Sequence, residues 1–339
     1  MKKFLSVLTV LVLIFTFAAP STADNSIYEG VMVGYCPPTL TDPWLALIAS
    51  KLREYTEAVG MTFLATEGNA NIQTQIQQFE NFIAMGCDII IAQPVNLAAY
   101  QRVIEEARSR GVKVVFWADD PAFDVEACYL SVNSIQGAMA GEMAKKWADE
   151  TFPDAGPGSI KVAWLTTQMD SRPTARERCE AMINTVLADE RFVQVFRKDN
   201  LNDTPSALNA MNECLALHKD VNVILAFADA MAMGANSAVM ADKSLDYSKI
   251  AIFAGDATDE GKALIDQSAA NESVFRGSVI SGEGDSYFIK GAEILKGVYD
   301  GSIELNSVFF ADHDTHNTVG YVSTFDAAEY ARNYVSPYK

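Results

Sequence analysis

The chain has 339 residues, 49% hydrophobic and 21% charged, so it carries apolar surface for an extensive core and is neither disordered nor fibrous. A mean hydropathy of +0.05, with one long apolar run confined to the N-terminus, excludes a multispanning membrane protein. The formal net charge of −18 repels nucleic acid and anionic membrane surfaces.

Lys2 and Lys3 precede the apolar residues 4–19, and the small residues Ser21, Thr22 and Ala23 follow. This is the three-part layout of a secretory signal peptide. The run is shorter than the ~20 residues a membrane span needs, so cleavage after Ala23 is expected rather than anchoring. The first cysteine is Cys36, too far along for a lipidated N-terminal Cys, so a freely soluble protein of the periplasm or the extracellular space is expected. Cys36, Cys87, Cys128, Cys179 and Cys214 are irregularly spaced, without a CxxC pair or a His at zinc spacing. Their odd count leaves at least one free thiol. The others could pair only where the fold brings them within bonding distance, and the plainer reading is small buried hydrophobes.

In chain order, short β-branched runs alternate with longer amphipathic stretches: 31–35 then 43–59, 61–66 then 72–85, 88–93 then 97–110. Further strands are expected at 113–117, 161–166, 192–197, 222–227 and 249–255. Gly60, Gly86 and Gly111 each fall between a helical pattern and an apolar strand, where a C-terminal cap belongs. Strands apolar on both faces imply parallel sheets covered by helices, hence an α/β chain of doubly wound units whose ligands bind beyond the carboxyl ends of the strands. So many βα units exceed one open sheet, and the loop 152–159, with Pro153, Gly156, Pro157 and Gly158, breaks the chain near its middle. Two lobes follow, with a crossover near Asn133.

Motifs for other chemistries are missing. Neither GxGxxG nor GxxxxGK[ST] joins a strand to a helix, and no GxSxG elbow occurs, so no nucleotide site, cofactor or hydrolytic triad is indicated. The segment Asp312-His313-Asp314-Thr315-His316 has residue types that could share a metal ion, but a solvated linker between late strands fits it better, and no metal site is expected. Asp42 and Trp44, Trp117 and Asp119, and Asp256 all stand at expected strand ends. There an indole can cover the C–H face of a sugar while a carboxylate accepts from its hydroxyls. Trp44 and Trp117 as core aromatics, and Asp42 as a helix N-cap before Pro43, are the structural alternatives.

These residues look familiar: the chain beyond residue 23 resembles the periplasmic sugar-binding proteins of the ribose and galactose type. Thr39-Leu40-Thr41-Asp42-Pro43-Trp44 is similar to the family's first ligand loop, and Phe116-Trp117-Ala118-Asp119-Asp120-Pro121 to the loop after the fourth strand. Ala175-Arg176-Glu177-Arg178 resembles a segment whose second Arg binds sugar oxygens. Asp229-Ala230-Met231-Ala232-Met233-Gly234 and Ala254-Gly255-Asp256-Ala257 resemble two further ligand segments, and Ser281 follows the strand at the last ligand position. Ala118 and Ala228 stand where the family has hydroxyl-binding amides, and Asn202 where it has a stacking aromatic; Phe227 is placed to fill part of that space.

The resemblance implies two doubly wound lobes, 24–132 plus 283–310 and 133–282 plus 311–339, joined by crossovers near Asn133, Gly282 and Phe310. It also implies a monomeric, non-enzymatic binding protein that closes on a sugar or sugar-like ligand. The expected ligand residues are Asp42, Trp44, Gln93, Trp117, Asp119, Arg178, Asn202, Phe227, Asp256 and Ser281, with Glu283 a further carboxylate. The implied partner is an ABC permease, or alternatively a chemoreceptor or sensor kinase. An amine-bearing ligand would also suit the carboxylates. An exported hydrolase using paired carboxylates with His313 and His316 lacks a motif. A DNA-binding regulator on the same lobes is disfavoured by the acidic charge and the N-terminal leader.

Overall fold

The computed structural model describes residues 25–335 except Ser171, Glu283 and Gly284, so the expected signal peptide and the Glu283 carboxylate lie outside the described residues. The chain runs β1 (Met32–Cys36), α1 (Pro43–Glu57), β2 (Thr62–Ala65), α2 (Ile72–Met85), β3 (Ile89–Ala92), α3 (Gln101–Ser109), β4 (Lys113–Trp117) and β5 (Ala127–Leu130). It continues with α4 (Asn133–Thr151), β6 (Ile160–Leu165), α5 (Pro173–Leu187), β7 (Phe192–Lys198), α6 (Thr204–Leu217), β8 (Val223–Ala226) and α7 (Asp229–Ala241). Then come β9 (Ala251–Gly255), α8 (Asp259–Ser268), β10 (Phe275–Ser281), α9 (Ser286–Asp300), β11 (Ser307–Phe310), β12 (His313–Asn317) and α10 (Ala327–Asn333).

The strands form two sheets of six, ordered β11-β5-β4-β3-β1-β2 and β12-β10-β9-β8-β6-β7. All neighbours are parallel except β12, which runs antiparallel to β10. Each sheet is therefore wound outward in both directions from a central pair, β1/β3 in one lobe and β6/β8 in the other. The inner strands, such as β3, β8 and β9, are short and apolar on both faces, as burial between helix layers requires. In the first sheet Val33, Tyr35, Ile89, Ile91, Val115 and Trp117 face α1 and α9. The alternate residues Ile90, Val114 and Phe116 face α2 and α3. The second sheet divides in the same way, Ile224 and Ile252 towards α6 and α7, Val162 and Phe253 towards α4 and α5.

Local signals set the helix ends. Asp42 caps α1 by accepting from the N–H groups of Trp44 and Leu45, with Pro43 at the first helical position. Gly86, at φ 81°, ends α2 in the left-handed region that a side chain rarely adopts. The stretch expected to be a solvated linker, Asp312 to His316, is instead mostly strand: β12 gains a full antiparallel ladder on β10, and His313 is buried by it. Polar composition hid this strand, because it lies at a sheet edge with most of its residues half-exposed. The last helix, α10, leaves the second sheet and packs on β11 of the first, where Phe310 meets Tyr330 and Tyr334.

All five cysteines are buried and unbridged. No helix among the described residues is long and apolar enough to cross a membrane.

The tightest helix contact in the second lobe is between α4 and α5, where a Cβ on Gly137 would overlap the carbonyl oxygen of Arg178. Gly137→Ala must therefore push the two helices apart. It is expected to cost about 1–3 kcal/mol, as overpacking does, and to lower the thermal midpoint by several degrees in a calorimetric scan.

Candidate functional site

In a doubly wound sheet the crevice opens where strand connections diverge. Here the two crevices belong to β1/β3 and β6/β8, and the loops from their carboxyl ends are where a ligand cleft between the lobes is expected. Of the eight non-glycine residues with positive φ among the described residues, six lie just past strand ends: Asn69, Ala70, Ala118, Asn200, Asp256 and Ala257. Backbone held there against local preference marks positions fixed by surrounding contacts. Ala118 (φ 76°) and Asp256 (φ 106°) are equivalent, each being the first residue after the fourth strand from the far edge of its own sheet, β4 and β9.

In the second lobe the cleft is built around Arg178. Its Nη1 donates to Asp256 Oδ1 at 3.1 Å and to the Phe227 carbonyl at 3.4 Å, and its Nε donates to Asn133 Oδ1 at 3.2 Å. The guanidinium lies 4.7 Å from the centroid of the Phe227 ring, a cation–π geometry that holds the plane of the fork. Behind Asp256 sits Asp229, fully buried at the start of α7, accepting from Ser278 Oγ (2.6 Å), Thr258 N (2.7 Å) and Thr258 Oγ1 (3.0 Å). Burial pushes both carboxyls up from their ordinary range. Arg178 opposes this at Asp256, and the Ser278 and Thr258 hydrogen bonds oppose it at Asp229.

The first lobe contributes Asp119, Asp42, Trp44 and Gln93. Asp119, half-buried after β4, has its carboxyl raised to about 7 by desolvation, with Arg172 lowering and Glu177 raising it. Asp42 is committed to its helix cap through Oδ1. Trp44 is half-buried against Tyr287 and Phe288, and Gln93 Oε1 accepts from Tyr35 Oη at 2.7 Å. Trp117 stands elsewhere. It is fully buried, edge-on to Tyr129 and Tyr287 with Nε1 donating to Tyr287 Oη at 2.6 Å, so it has no ring face to offer a ligand and is a core residue. Its register explains this, since its side chain points into the layer under α9, where only Gly291 leaves room for it.

Ser281 lies in the hinge rather than on the cleft wall. Its Oγ meets Ser131 Oγ at 3.3 Å and accepts from Gln136 Nε2 at 2.8 Å. Val132 N donates to His313 Nε2 at 3.0 Å, and Gly282 N donates to the Asp312 carbonyl at 2.6 Å. Residues from all three passages between the sheets are thus tied together. The valine contact needs a bare Nε2, so His313 is neutral here, and burial holds its pKa down at about 3. His316 is remote, its Nε2 2.7 Å from Asp266 Oδ1 at the surface. Among the described residues no group of three His, Cys, Asp or Glu is disposed to hold a metal. Asn202 is exposed beyond β7, with Nδ2 donating to the Asn200 carbonyl at 3.3 Å.

Sequence reading missed Asn133, which joins Arg178 to the first hinge passage, and Arg172. The latter precedes Pro173 at the start of α5, and its guanidinium lies 5.6 Å from the Phe227 centroid. Withdrawal from water and the charge of Arg178 lower its pKa, while Asp42, Asp256 and Asp119 raise it. The available signal was its place, in a loop following a strand, directly before a helix-starting proline.

Comparison with known proteins agrees with this architecture. A family model described as periplasmic binding protein domain matches residues 33–282. The ribose import binding protein of Bacillus subtilis is 25% identical over 223 residues, covering 66% of this chain and 69% of that protein. Among solved structures, a periplasmic solute-binding protein of an ABC transporter from Actinobacillus succinogenes, with bound D-allose, superposes at a TM-score of 0.71. It is 16% identical and is covered 100%, against 90% of this chain. The Caulobacter myo-inositol binding protein, bound to myo-inositol, superposes at 0.67 with 21% identity over 85% of this chain and 93% of that one.

The raised carboxyl of Asp119 has a defined pH signature. A carboxyl that titrates higher in the folded than in the unfolded chain costs stability as pH rises from its unfolded value near 4 through its folded value, and costs nothing below. Asp119→Asn removes that cost. The thermal midpoint of the variant is therefore expected to match wild type near pH 4 and to exceed it increasingly up to about pH 7, beyond which the gap is constant.

Proposed function

Since the chain belongs to the periplasmic binding protein domain family, we propose that it is an exported solute-binding protein that captures a sugar or a related polyol between its lobes. The observation that carries this reading is the arginine Arg178, held at once by the strand-end carboxylate Asp256, the Phe227 ring and the hinge-side Asn133. A guanidinium fixed on three sides presents its remaining N–H groups in a set direction, and charge-assisted donation to a hydroxyl or ring oxygen is what such a group does well. Asp119 and Asp256, from opposite lobes, are acceptors for ligand hydroxyls, with Gln93 and Asp42 at the first lobe's rim.

Binding of this kind works through closure. A ligand that touches both lobes favours the arrangement in which both sets of contacts are made, by its difference in affinity for the two states. The tied hinge passages let the lobes move as bodies while the sheets stay intact. A closed pair of lobes then offers a surface that the open form lacks, and delivery of the ligand to an ABC permease in the membrane is the role proposed for it. The names of the ribose- and D-allose-binding relatives support the ligand class. The leader-like residues 1–23 support secretion through a cleaved signal peptide, to the periplasm or the outside of the cell.

The test is a thermal-shift series on the chain from residue 24 with D-ribose, D-allose, D-galactose and myo-inositol. At a hundredfold excess over Kd, a ligand specific for the native state adds about 2.7 kcal/mol, a rise of several degrees. Arg178→Gln, verified as folded by its own unliganded melt, is expected to weaken binding on the order of ten- to a hundredfold, the value of hydrogen bonds to a charged group. A full-strength shift in that variant, or no shift with any of the four, would refute the reading.

A further inference from the structure

Besides the three passages that join the sheets, the chain crosses between the lobes once more near its end. After β12 it turns within the second lobe, where Asn317 Oδ1 accepts from Val319 N at 3.1 Å and from Tyr321 N at 3.0 Å. Val319, Tyr321 and Phe325 join the core that α4 covers, and the Phe325 ring lies 5.0 Å from that of His313 at the hinge. α10 then stands on the first lobe: Phe310 of β11 meets Tyr330 and Tyr334, each at 4.9 Å between ring centroids. Tyr334 Oη donates to Asp120 Oδ2 at 2.8 Å. Asp120 is buried and is the neighbour of Asp119 in the loop that follows β4. Burial and the Asp120 carboxylate push the Tyr334 pKa up, so the hydroxyl keeps the proton it donates at any ordinary pH. Between these two anchorages a cavity of about 430 Å³ is lined by Ile135, Met139 and Glu142 of α4 and by Tyr330 and Asn333 of α10, so the two helices are not packed together there.

We propose that residues 318–334 are a fourth tie between the lobes, a strap whose last anchor, the hydrogen bond from Tyr334 to Asp120, positions the strand-end loop 118–121. The strap is rooted in one lobe and moored on the other, so a rotation about the hinge that carries α4 away from β11 must strain it. A tie resists the separation of its ends and nothing else. Slackening it therefore widens the range of lobe positions and never narrows it. At the moored end Tyr334 is a positioning residue, acting on the loop through Asp120. Ala118, at φ 76°, starts that loop in a conformation side chains rarely adopt, and a hydrogen bond two residues further on is one of the contacts that keep it there. A loop fixed before the ligand arrives costs less to order on binding. That last step rests on the reading of the cleft as a sugar site; the tie itself does not.

Two ligand-free measurements and one with ligand test this, all on the chain from residue 24. Inserting Gly-Ser-Gly-Ser after the exposed Val322 slackens the strap and leaves both anchorages intact. Spin labels on Glu105→Cys of α3 and Asn184→Cys of α5, both exposed, report the distance between the lobes, while the five native thiols are buried. The insertion is expected to broaden the distance distribution, and an unchanged distribution overturns the tie. Tyr334→Phe keeps the ring against Phe310 and removes only the hydroxyl. Amide hydrogen exchange over residues 118–124 is expected to quicken about three- to tenfold in this variant, the worth of one hydrogen bond, with exchange in β3 as in wild type. Unchanged exchange in the loop, or an equal rise in β3, overturns the positioning role. In the third measurement, calorimetry with D-ribose, D-allose and myo-inositol, Tyr334→Phe is expected to bind about three- to tenfold more weakly than wild type. Equal affinity overturns the loop's part in binding. If wild type binds none of the three, the sugar reading falls, and the two ligand-free measurements still decide the strap.

Discussion

The cleft of this protein depends on one mostly buried ion pair, Arg178 with Asp256, and on what holds each partner. Removing either charge would leave the other desolvated without its counter-charge, which is the costly way to break a buried pair. The pair is also placed by strain: Asp256 sits at a φ that side chains avoid, held there by its backbone bond to Val279 and by the Asp229–Ser278–Thr258 network beneath. On the other side Arg178 is brought to Asn133 because α4 and α5 meet with no side chain at Gly137 between them. A helix crossing, a strained strand end and a buried carboxylate network thus meet at one guanidinium, which is held by partners on three sides. Preorganisation of that kind reduces the ordering cost of binding.

Much of this was legible in the residues. Runs such as 89–92 and 223–226, apolar at every position, cannot be the half-exposed strands of an antiparallel sheet, and Gly86 before the first of them marks where a helix stops. That is enough for a parallel, doubly wound arrangement, and the doubly wound arrangement is enough to say that functional groups follow strand ends. The positions of Asp119 and Asp256 were reachable in this way, whereas Arg178, inside α5, was reached only through the resemblance of residues 175–178 to a known segment. Trp117 was not, because a strand's last residue faces either the cleft or a helix layer depending on register, and register is set by pairing with β3 and β5, which no single segment reveals. β12 was hidden for the opposite reason. Its ladder comes from a partner strand about 35 residues earlier, and its own polar residues carry no periodic apolar signal.

The two lobes are copies in topology though not in detail. Both sheets have the same winding, and the loops after β4 and β9 carry the two carboxylates proposed for the ligand, Asp256 as the first residue after its strand and Asp119 as the second, next to Ala118 at the equivalent position. What differs is the company each keeps: Asp256 has an arginine of its own lobe, whereas Asp119 has none. An asymmetric pair of walls of this kind gives one lobe a finished surface and the other an unfinished one, so ligand contact with the second lobe can precede closure by the first.

The five buried thiols have a bearing on how the chain reaches its folded form. Burial raises those of Cys36, Cys87, Cys179 and Cys214, so in the native protein they are protonated, shielded and slow to react. Before the two cores form they have no such shelter, and a chain exported as proposed meets oxidants at that stage. Oxidation thus competes with folding for the same molecules over a short interval: chains that collapse in time become inert to thiol chemistry, and those that do not acquire cross-links the native packing cannot hold. Under the proposed export, tolerance of an oxidising compartment would in this sense depend on how fast the chain folds as well as on its finished structure.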